Sequence, residues 1–395
     1  SKMNIIRYLV FSLIFFGNIF AADNQILDTL PLFSVIPFVG ILLSIAILPL
    51  INLHFWELNF GKISAFWAFL FLIPFTYNFG LSIAMHQLVH VLLLEYVPFI
   101  IILLALFTIS GGIQVSGTLS GTPYLNVAIL TLGTLIASWM GTTGAAMLLI
   151  RPLIRANLWR RKKTHIFVFF IFLVANVGGS LTPLGDPPLF LGFLNGVSFF
   201  WTTKHMFLPM ILVSLILIIV FYFLDEYFFR KEDRRAGSRD KIKPKPEDKL
   251  KLKGKVNFLF ILGVIVSVLI SGVWDPKIEL SIFHVPVSLQ NIARDIILLL
   301  LTYLSLKFTD HAIRDANRFT WFPIKEVAKL FLGIFITIIP AIAILKAGSD
   351  GALSFVINLT QDMNGEPRNI VYFWLTGILS SLLDNAPTYL VFFNT

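Results

Sequence analysis

Asp186 lies in a segment that cannot continue a helix, between two apolar stretches of the chain. The segment reads Asn176-Val-Gly-Gly-Ser-Leu-Thr-Pro-Leu-Gly-Asp-Pro-Pro188. A second acid, Asp384, lies in a similar segment near the end of the sequence, Ser380-Ser-Leu-Leu-Asp-Asn-Ala-Pro-Thr388. A carboxylate at membrane depth is costly, so it is a functional-site hypothesis by default. Irregular backbone at that depth is tolerated only inside protein or beside a wet cavity. The two acids therefore predict ion-binding positions.

Oxygen-bearing side chains accompany both acids, and broken helices expose the backbone carbonyls that coordinate sodium ions in transporters. Low dielectric favours the neutral form of a carboxylate, so such a group can exchange a proton for a sodium ion. No cofactor and no metal other than this sodium ion is predicted. The predicted ion-binding residues are Ser138, Thr142, Thr143, Asn176, Thr182, Asp186, Asp384, Asn385 and Thr388.

The charges of the two segments favour a cation over an anion. Neither segment contains Arg or Lys. A multiply charged anion such as citrate would meet two like charges there unless bound cations or protons neutralised them. Each acid has a structural alternative, which is to cap the half-helix that follows it. Asn176 and Thr182 could equally serve as ligands or form hydrogen bonds between helices.

The composition identifies the class of protein. The chain is 57% hydrophobic, contains 40 Phe residues and has only 13% charged residues. Its apolar runs recur at about 17–25 residues, the length that spans a bilayer as a helix. The sequence therefore predicts an all-α polytopic membrane protein whose main partner is the lipid bilayer. The absence of Cys excludes disulfides and cysteine nucleophiles. The basic loops carry no interleaved aromatic residues, so nucleic-acid binding is not predicted.

The first half of the chain predicts helices at 31–53, 62–83 and 88–113. The next apolar stretch, 126–155, is interrupted by Ser138-Trp-Met-Gly-Thr-Thr-Gly144. Small and hydroxyl residues at mid-stretch indicate a re-entrant hairpin. The alternative is a spanning helix with a glycine-rich packing face.

The remaining stretches complete a repeated pattern. A helix broken at Asp186 is expected over 166–200, and a second hairpin is expected from about 370. Three helices followed by a hairpin occur twice, which indicates an inverted-topology repeat. Only eleven residues follow Asp384, so the second repeat is expected to be incomplete. The other helices are predicted at 205–224, 257–274, 291–307 and 326–346.

Basic residues predict the orientation. They outnumber acids over 225–256, and another basic cluster lies within 151–163. Both should be cytoplasmic by the positive-inside rule. The sequence thus predicts a multi-pass membrane protein, with a first repeat at 23–224, a cytoplasmic linker at 225–256 and an inverted repeat at 257–395. The linker could alternatively bind anionic lipids. Residues 1–22 resemble a signal peptide or a first membrane helix.

Three motifs resemble the ion-transporter superfamily, which contains sodium–proton antiporters, arsenite permeases and citrate or dicarboxylate carriers. They are Gly141-Thr-Thr-Gly-Ala-Ala-Met147, Gly178-Gly-Ser-Leu-Thr-Pro-Leu-Gly-Asp-Pro-Pro188 and Leu383-Asp-Asn-Ala-Pro-Thr388. The resemblance is greatest to bacterial sodium–proton antiporters and citrate transporters and covers roughly residues 30–395. It implies paired hairpins, two broken helices, sodium coupling and a location in the bacterial inner membrane, and members of the superfamily are often homodimers. Dicarboxylate carriers have Ser-Asn-Thr at the hairpin tips, and this chain does not.

The expected function is secondary active transport that exchanges sodium for protons by alternating access. Sodium-coupled transport of citrate or another small carboxylate is the alternative of the same class, and a membrane scaffold is a further one. The chain is not expected to be an enzyme, because its sequence contains no recognisable nucleophile–base pair. His86 and His90 have the i, i+4 spacing of a metal-binding pair, but no third ligand follows at a suitable spacing. Glu95, on the same predicted helix, is a candidate for a proton path.

Overall fold

The computed structural model describes residues 30–117, 119–235, 250–347, 352, 354–362 and 365–395. The segment 1–22 and most of the basic part of the linker lie outside the described residues. The chain divides into two compact units. Unit one comprises the described residues within 1–97, 281–287 and 325–395, and unit two comprises the described residues within 98–280 and 288–324.

The described residues form eight helices that are long and apolar enough to cross a membrane. Many of their large apolar side chains are exposed, as is expected of a surface that faces lipid. The prediction of an all-α polytopic membrane protein is therefore confirmed. These helices cover Leu32–Ile51, Leu53–Phe79, Leu81–Ser110, Pro123–Met140, Trp201–Glu232, Val256–Val273, Leu289–Phe308 and Phe322–Lys346.

Helices α1 (Ile36–Ile51) and α2 (Leu53–Phe79) begin the described fold. The Asn52 side chain accepts a 3.0 Å hydrogen bond from the Phe55 amide and so caps α2. Helix α2 ends at Gly80, whose φ of 88° suits glycine. The helix predicted at 62–83 therefore begins nine residues earlier, because Asn52 supplies the cap.

The third spanning helix contains a π-helical turn. Helix α3 (Leu81–Val91) continues through a π turn at Leu92–Tyr96 into α4 (Val97–Ser110). The helix predicted at 88–113 is therefore seven residues longer at its start. A single π turn inside an α-helix inserts one residue and is frequent at functional sites.

Strand β1 (Gln114–Ser116) precedes two helices, α5 (Pro123–Met140) and α6 (Thr142–Ala156). They are separated by Gly141 alone, whose φ is 81°. A side chain at that φ would be strained, so glycine allows the chain to reverse in one residue.

The two ends of this stretch meet. The Gly121 amide donates to the Ala156 carbonyl at 2.8 Å. The Asn126 and Asn157 side chains donate to each other at 3.1 Å and 2.8 Å. The stretch predicted at 126–155 is therefore a hairpin that returns to its starting point.

The broken helix is also present. Helix α7 (Thr164–Leu173) ends before a 3₁₀ turn at Val177–Gly179, and α8 (Pro187–Leu194) follows the irregular segment. Helix α9 then runs over Trp201–Arg235. It was predicted to end at residue 224, so the first eleven residues assigned to the linker are helical instead.

The last residues of the predicted linker form a short strand that pairs with β1 within unit two. Strand β2 (Lys251–Lys253) pairs antiparallel with β1, and Lys253 lies opposite Gln114. Helix α10 (Val256–Val273) follows directly. The remaining elements are β3 (Glu279–Ile282), β4 (Val285–Ser288), α11 (Leu289–Phe308), α12 (His311–Ala316), α13 (Phe322–Thr337), α14 (Ile339–Lys346), α15 (Ser354–Thr360), α16 (Asn369–Leu382) and α17 (Asn385–Phe393).

The second predicted hairpin consists of α16 and α17, separated by Leu383 and Asp384. The Tyr372 and Phe392 rings are 6.1 Å apart. The Thr395 hydroxyl donates to the Tyr372 hydroxyl at 3.0 Å. The end of α17 therefore lies beside the beginning of α16, as in the first hairpin.

A buried carboxylate holds the base of the first hairpin. Asp225, in α9, is fully buried. Its carboxylate accepts from Arg160 at 2.5 Å and from Asn126 at 2.9 Å, and it contacts His165 Nε2 at 2.7 Å. These partners come from the first turn of α5, the loop after α6 and the first turn of α7. One side chain thus joins the hairpin to the broken helix and to α9.

We expect Asp225→Asn to lower the apparent melting temperature of the purified protein in detergent. The change removes the 2.5 Å partner of the buried Arg160 guanidinium and leaves only the longer 3.6 Å contact with Glu232. Breaking a buried pair costs up to about 3–5 kcal/mol. The control is Glu226→Gln on the same helix, whose partner Arg230 is mostly exposed. An exposed pair contributes only about 0–1 kcal/mol. Equal melting temperatures for the two variants would contradict the role of Asp225.

Candidate functional site

The tip of the first hairpin is hydrogen-bonded to the helix break at Asp186. The amide of Thr142, the first residue of α6, donates to the Gly185 carbonyl at 2.9 Å. Gly185 precedes Asp186, so the hairpin tip lies one residue from the predicted acid. A Cβ atom on Gly185 would lie 2.1 Å from the Gly179 carbonyl oxygen, and one on Gly179 would lie 2.6 Å from Thr142 Cγ2. Glycine at both positions therefore permits this close approach.

Two predicted hydroxyl residues join the same segments. Ser138 is fully buried, and its hydroxyl donates to the Gly178 carbonyl at 2.5 Å and accepts from the Leu181 amide at 3.1 Å. The buried Thr182 hydroxyl donates to the Ser138 carbonyl. Both hydroxyls thus hold the hairpin against the break. A hydroxyl oxygen has two lone pairs, so the Ser138 oxygen retains one for a cation.

The other predicted residues of this site are more exposed. Thr143 and Asn176 lie at the surface of the described protein. The Asn176 amide donates to the Ile171 carbonyl at 2.8 Å, near the end of α7. Asp186 is partly buried and occupies the N-cap position of α8 without capping the helix through its side chain. Asp186 therefore has the position of an N-cap residue, but its side chain does not form the capping hydrogen bond.

The beginning of α8 is poorly suited to an anion. Helix N-termini bind anions through free backbone N–H groups. The first two residues of α8, Pro187 and Pro188, have no N–H group. The Leu189 amide already donates to the Asp186 carbonyl at 3.1 Å. This helix end therefore presents a carboxylate and few donors, which favours a cation.

The second acid has a similar setting in unit one. The Asp384 carboxylate caps α17 by accepting from the Ala386 amide at 3.4 Å. The buried Thr388 donates its hydroxyl to the Asp384 carbonyl at 3.0 Å. Pro387 supplies no N–H, and both Asp384 and Asn385 are exposed. The capping alternative therefore holds for Asp384, and the N-terminus of α17 is occupied by its own acid.

The two acids belong to different units, Asp186 to unit two and Asp384 to unit one. Each hairpin is therefore described within its own unit. In unit two it brings Ser138, Thr142 and Thr182 together beside Asp186. In unit one Asp384 lies next to Thr388. A single ion site shared by both acids stays a prediction.

Arg294 was missed by the sequence analysis. It lies in α11 and is 1% exposed. Its guanidinium lies 5.5 Å from the ring centre of Phe190, one turn of α8 beyond Asp186. Nε donates to Asp295 at 2.8 Å and Nη1 to Asn291 at 3.1 Å, while the buried Nη2 has no hydrogen-bond partner among the described residues. A buried guanidinium with unused donors is suited to an anion.

Comparison with known proteins bears on what these sites do. A family model described as "Putative citrate transport" matches residues 27–395. The chain belongs to this family. The match includes both hairpins and the broken helix, so this member of the putative citrate transport family is a multi-pass membrane transporter, as its motifs indicated. No curated protein matches the chain, and no solved structure does.

We expect Gly185→Ala to lower the apparent melting temperature, because the new methyl group would collide with the Gly179 backbone. Overpacking of this kind typically costs about 1–3 kcal/mol. The control is Gly377→Ala in α16, where nothing lies within 4 Å of the new Cβ atom. Alanine there should be neutral or stabilise the helix by up to about 1 kcal/mol. Similar destabilisation of both variants would show that the approach of hairpin and break is not close.

Proposed function

We propose that this chain is a secondary active transporter that exchanges sodium ions for protons by alternating access, with Asp186 and Asp384 as its ion-binding carboxylates. One observation supports this proposal above the others. Each half-helix that follows a break begins with a carboxylate, and prolines or capping bonds occupy its N–H positions. The carboxylate attracts a positive ion, and the lack of free N–H groups removes most of what the positive end of a helix offers to an anion.

Competition for the carboxylates accounts for exchange. A carboxylate holding a sodium ion is ionised, and the same group is neutral when it holds a proton, so the two ions exclude each other. Oxygen ligands from Ser138, Thr142, Thr143, Asn176 and Thr182 would complete the site at Asp186. Asn385 and Thr388 would serve the site at Asp384.

The membrane placement follows from charge. We place the basic stretch 225–256 in the cytoplasm and the protein in the bacterial inner membrane. The exposed apolar side chains of the spanning helices then face lipid. A homodimer is part of the proposal because the resemblance implies it.

Asp186→Asn and Asp384→Asn test the exchange. We expect sodium-driven proton flux in proteoliposomes to fall to background in both, since an amide can neither release a proton nor offer a negative charge. Asp275→Asn is the matched control, because Asp275 lies outside the spanning helices and pairs with the exposed Lys277 at 2.8 Å. Undiminished flux in both hairpin variants would refute the proposal.

Sodium-coupled transport of citrate is the second candidate. The description of the family favours it, and so does Arg294, whose unused Nη2 lies in the unit that contains Asp186. A guanidinium forms two parallel hydrogen bonds with a carboxylate. Within unit two, citrate would then bind beside Asp186 rather than on it, with a cation held at Asp186.

Arg294→Gln tests this candidate. We expect counterflow of labelled citrate to be lost in Arg294→Gln and to be weak in Arg294→Lys, since lysine keeps the charge but not the planar fork. Lys277→Gln is the control because Lys277 is exposed. Absence of citrate counterflow in the unmodified protein, with sodium–proton exchange intact, would leave exchange as the function.

A further inference from the structure

A stripe of polar side chains follows one face of the third spanning helix. Ser82, His86 and His90 recur every four residues, and Glu95 follows five residues later. Residues four apart share a face of an α-helix. The π turn at Leu92–Tyr96 adds one residue to its turn, so the spacing of five keeps Glu95 on the same face. The rings of His86 and His90 are 6.3 Å apart.

Packing within unit one fixes the π turn. The Tyr96 hydroxyl donates to the Ala328 carbonyl of α13 at 2.8 Å. The Tyr96 ring also meets the Phe335 ring edge-on, with centres 6.2 Å apart. These contacts set the rotation of the turn, so the direction of Glu95 is determined by the fold.

Glu95 has an unused oxygen in an apolar setting. Its Oε2 atom is buried and has no hydrogen-bond partner among the described residues. An ionised carboxylate in such a place is costly unless a cation is near, whereas the neutral acid is tolerated. The charge of Lys346, at the end of α14 in the same unit, acts on Glu95 and also on His90, and His86 acts on His90. The charged and titratable groups of this stripe and its surroundings are therefore Lys346, His90 and His86.

We propose that Glu95 is a separate proton-binding site, reached along Ser82, His86 and His90 from the Leu81 end of the helix. The distance is about 20 Å at a rise of 1.5 Å per residue. A proton from water passes from one imidazole to the next and forms an O–H bond at Glu95, which becomes neutral. On release the O–H bond breaks and the carboxylate faces Lys346. This site goes beyond the proposed exchange and does not depend on Asp186 or Asp384.

The test is labelling of the full chain in liposomes with dicyclohexylcarbodiimide, which enters apolar regions and reacts with protonated carboxyl groups, followed by peptide mass analysis. We expect Glu95 to be labelled at neutral pH and progressively less as the pH rises. The exposed Glu279 of β3, which lies outside the spanning helices, should stay unlabelled, and Glu95→Gln should lose the adduct. Glu95 labelled at no pH, or equally at every pH, would overturn the proposal.

Two variants test the surroundings of Glu95. Lys346→Met removes the cation that stabilises the ionised form, so labelling should persist to higher pH, and an unchanged midpoint would contradict the pairing. His90→Gln should slow the appearance of the carboxyl infrared band after a pH jump, and an unaltered rate would overturn the route. Labelling of Glu95 should survive in Asp186→Asn and Asp384→Asn, which separates this site from the exchange sites.

Discussion

The fold depends on satisfying main-chain polar groups where no water reaches them. A helix that breaks inside a bilayer leaves carbonyl and amide groups that would each cost several kcal/mol if unpaired. Here the first hairpin supplies the partners. Ser138 bonds to Gly178 and Leu181, and the Thr142 amide bonds to Gly185. Hairpin and broken helix therefore stabilise each other, and the acid at the break is held in place by bonds it does not itself make.

The same rule explains most other buried polar groups of unit two. The carbonyls at the end of α4 are paired with side chains, Gly111 and Ile113 with Asn317, and Gly112 with Asn257. In these cases the polar side chains donate hydrogen bonds to backbone carbonyl groups. Arg294 Nη2 and Glu95 Oε2 are among twelve buried side-chain atoms of the described residues that lack a hydrogen-bond partner, and such atoms are candidates for binding.

The sequence predicted the breaks and the hairpins because glycine, proline and acids interrupt apolar runs, and this signal is local. Element ends were harder to predict. The charged end of α9 resembled a linker, yet Glu226 and Arg230 form an i,i+4 pair that suits a helix. Arg294 resembled a surface residue because its burial comes from contact with Phe190, which periodicity cannot reveal. The sequence analysis grouped His90 with Glu95, but it could not show that they share a helix face, because a π turn leaves no signature in composition.

Charge balance connects the two candidate functions. Citrate carries up to three negative charges, and Arg294 in unit two, which is already paired with Asp295, would offer it the unused Nη2 donor. Asp186 belongs to the same unit and, if ionised and empty, would repel such an anion. In the proposed transporter, a cation or a proton held at Asp186 would remove that repulsion. Cation binding would then precede anion binding in unit two, and the proposed exchange of sodium for protons at this carboxylate is the step that citrate transport would be built upon.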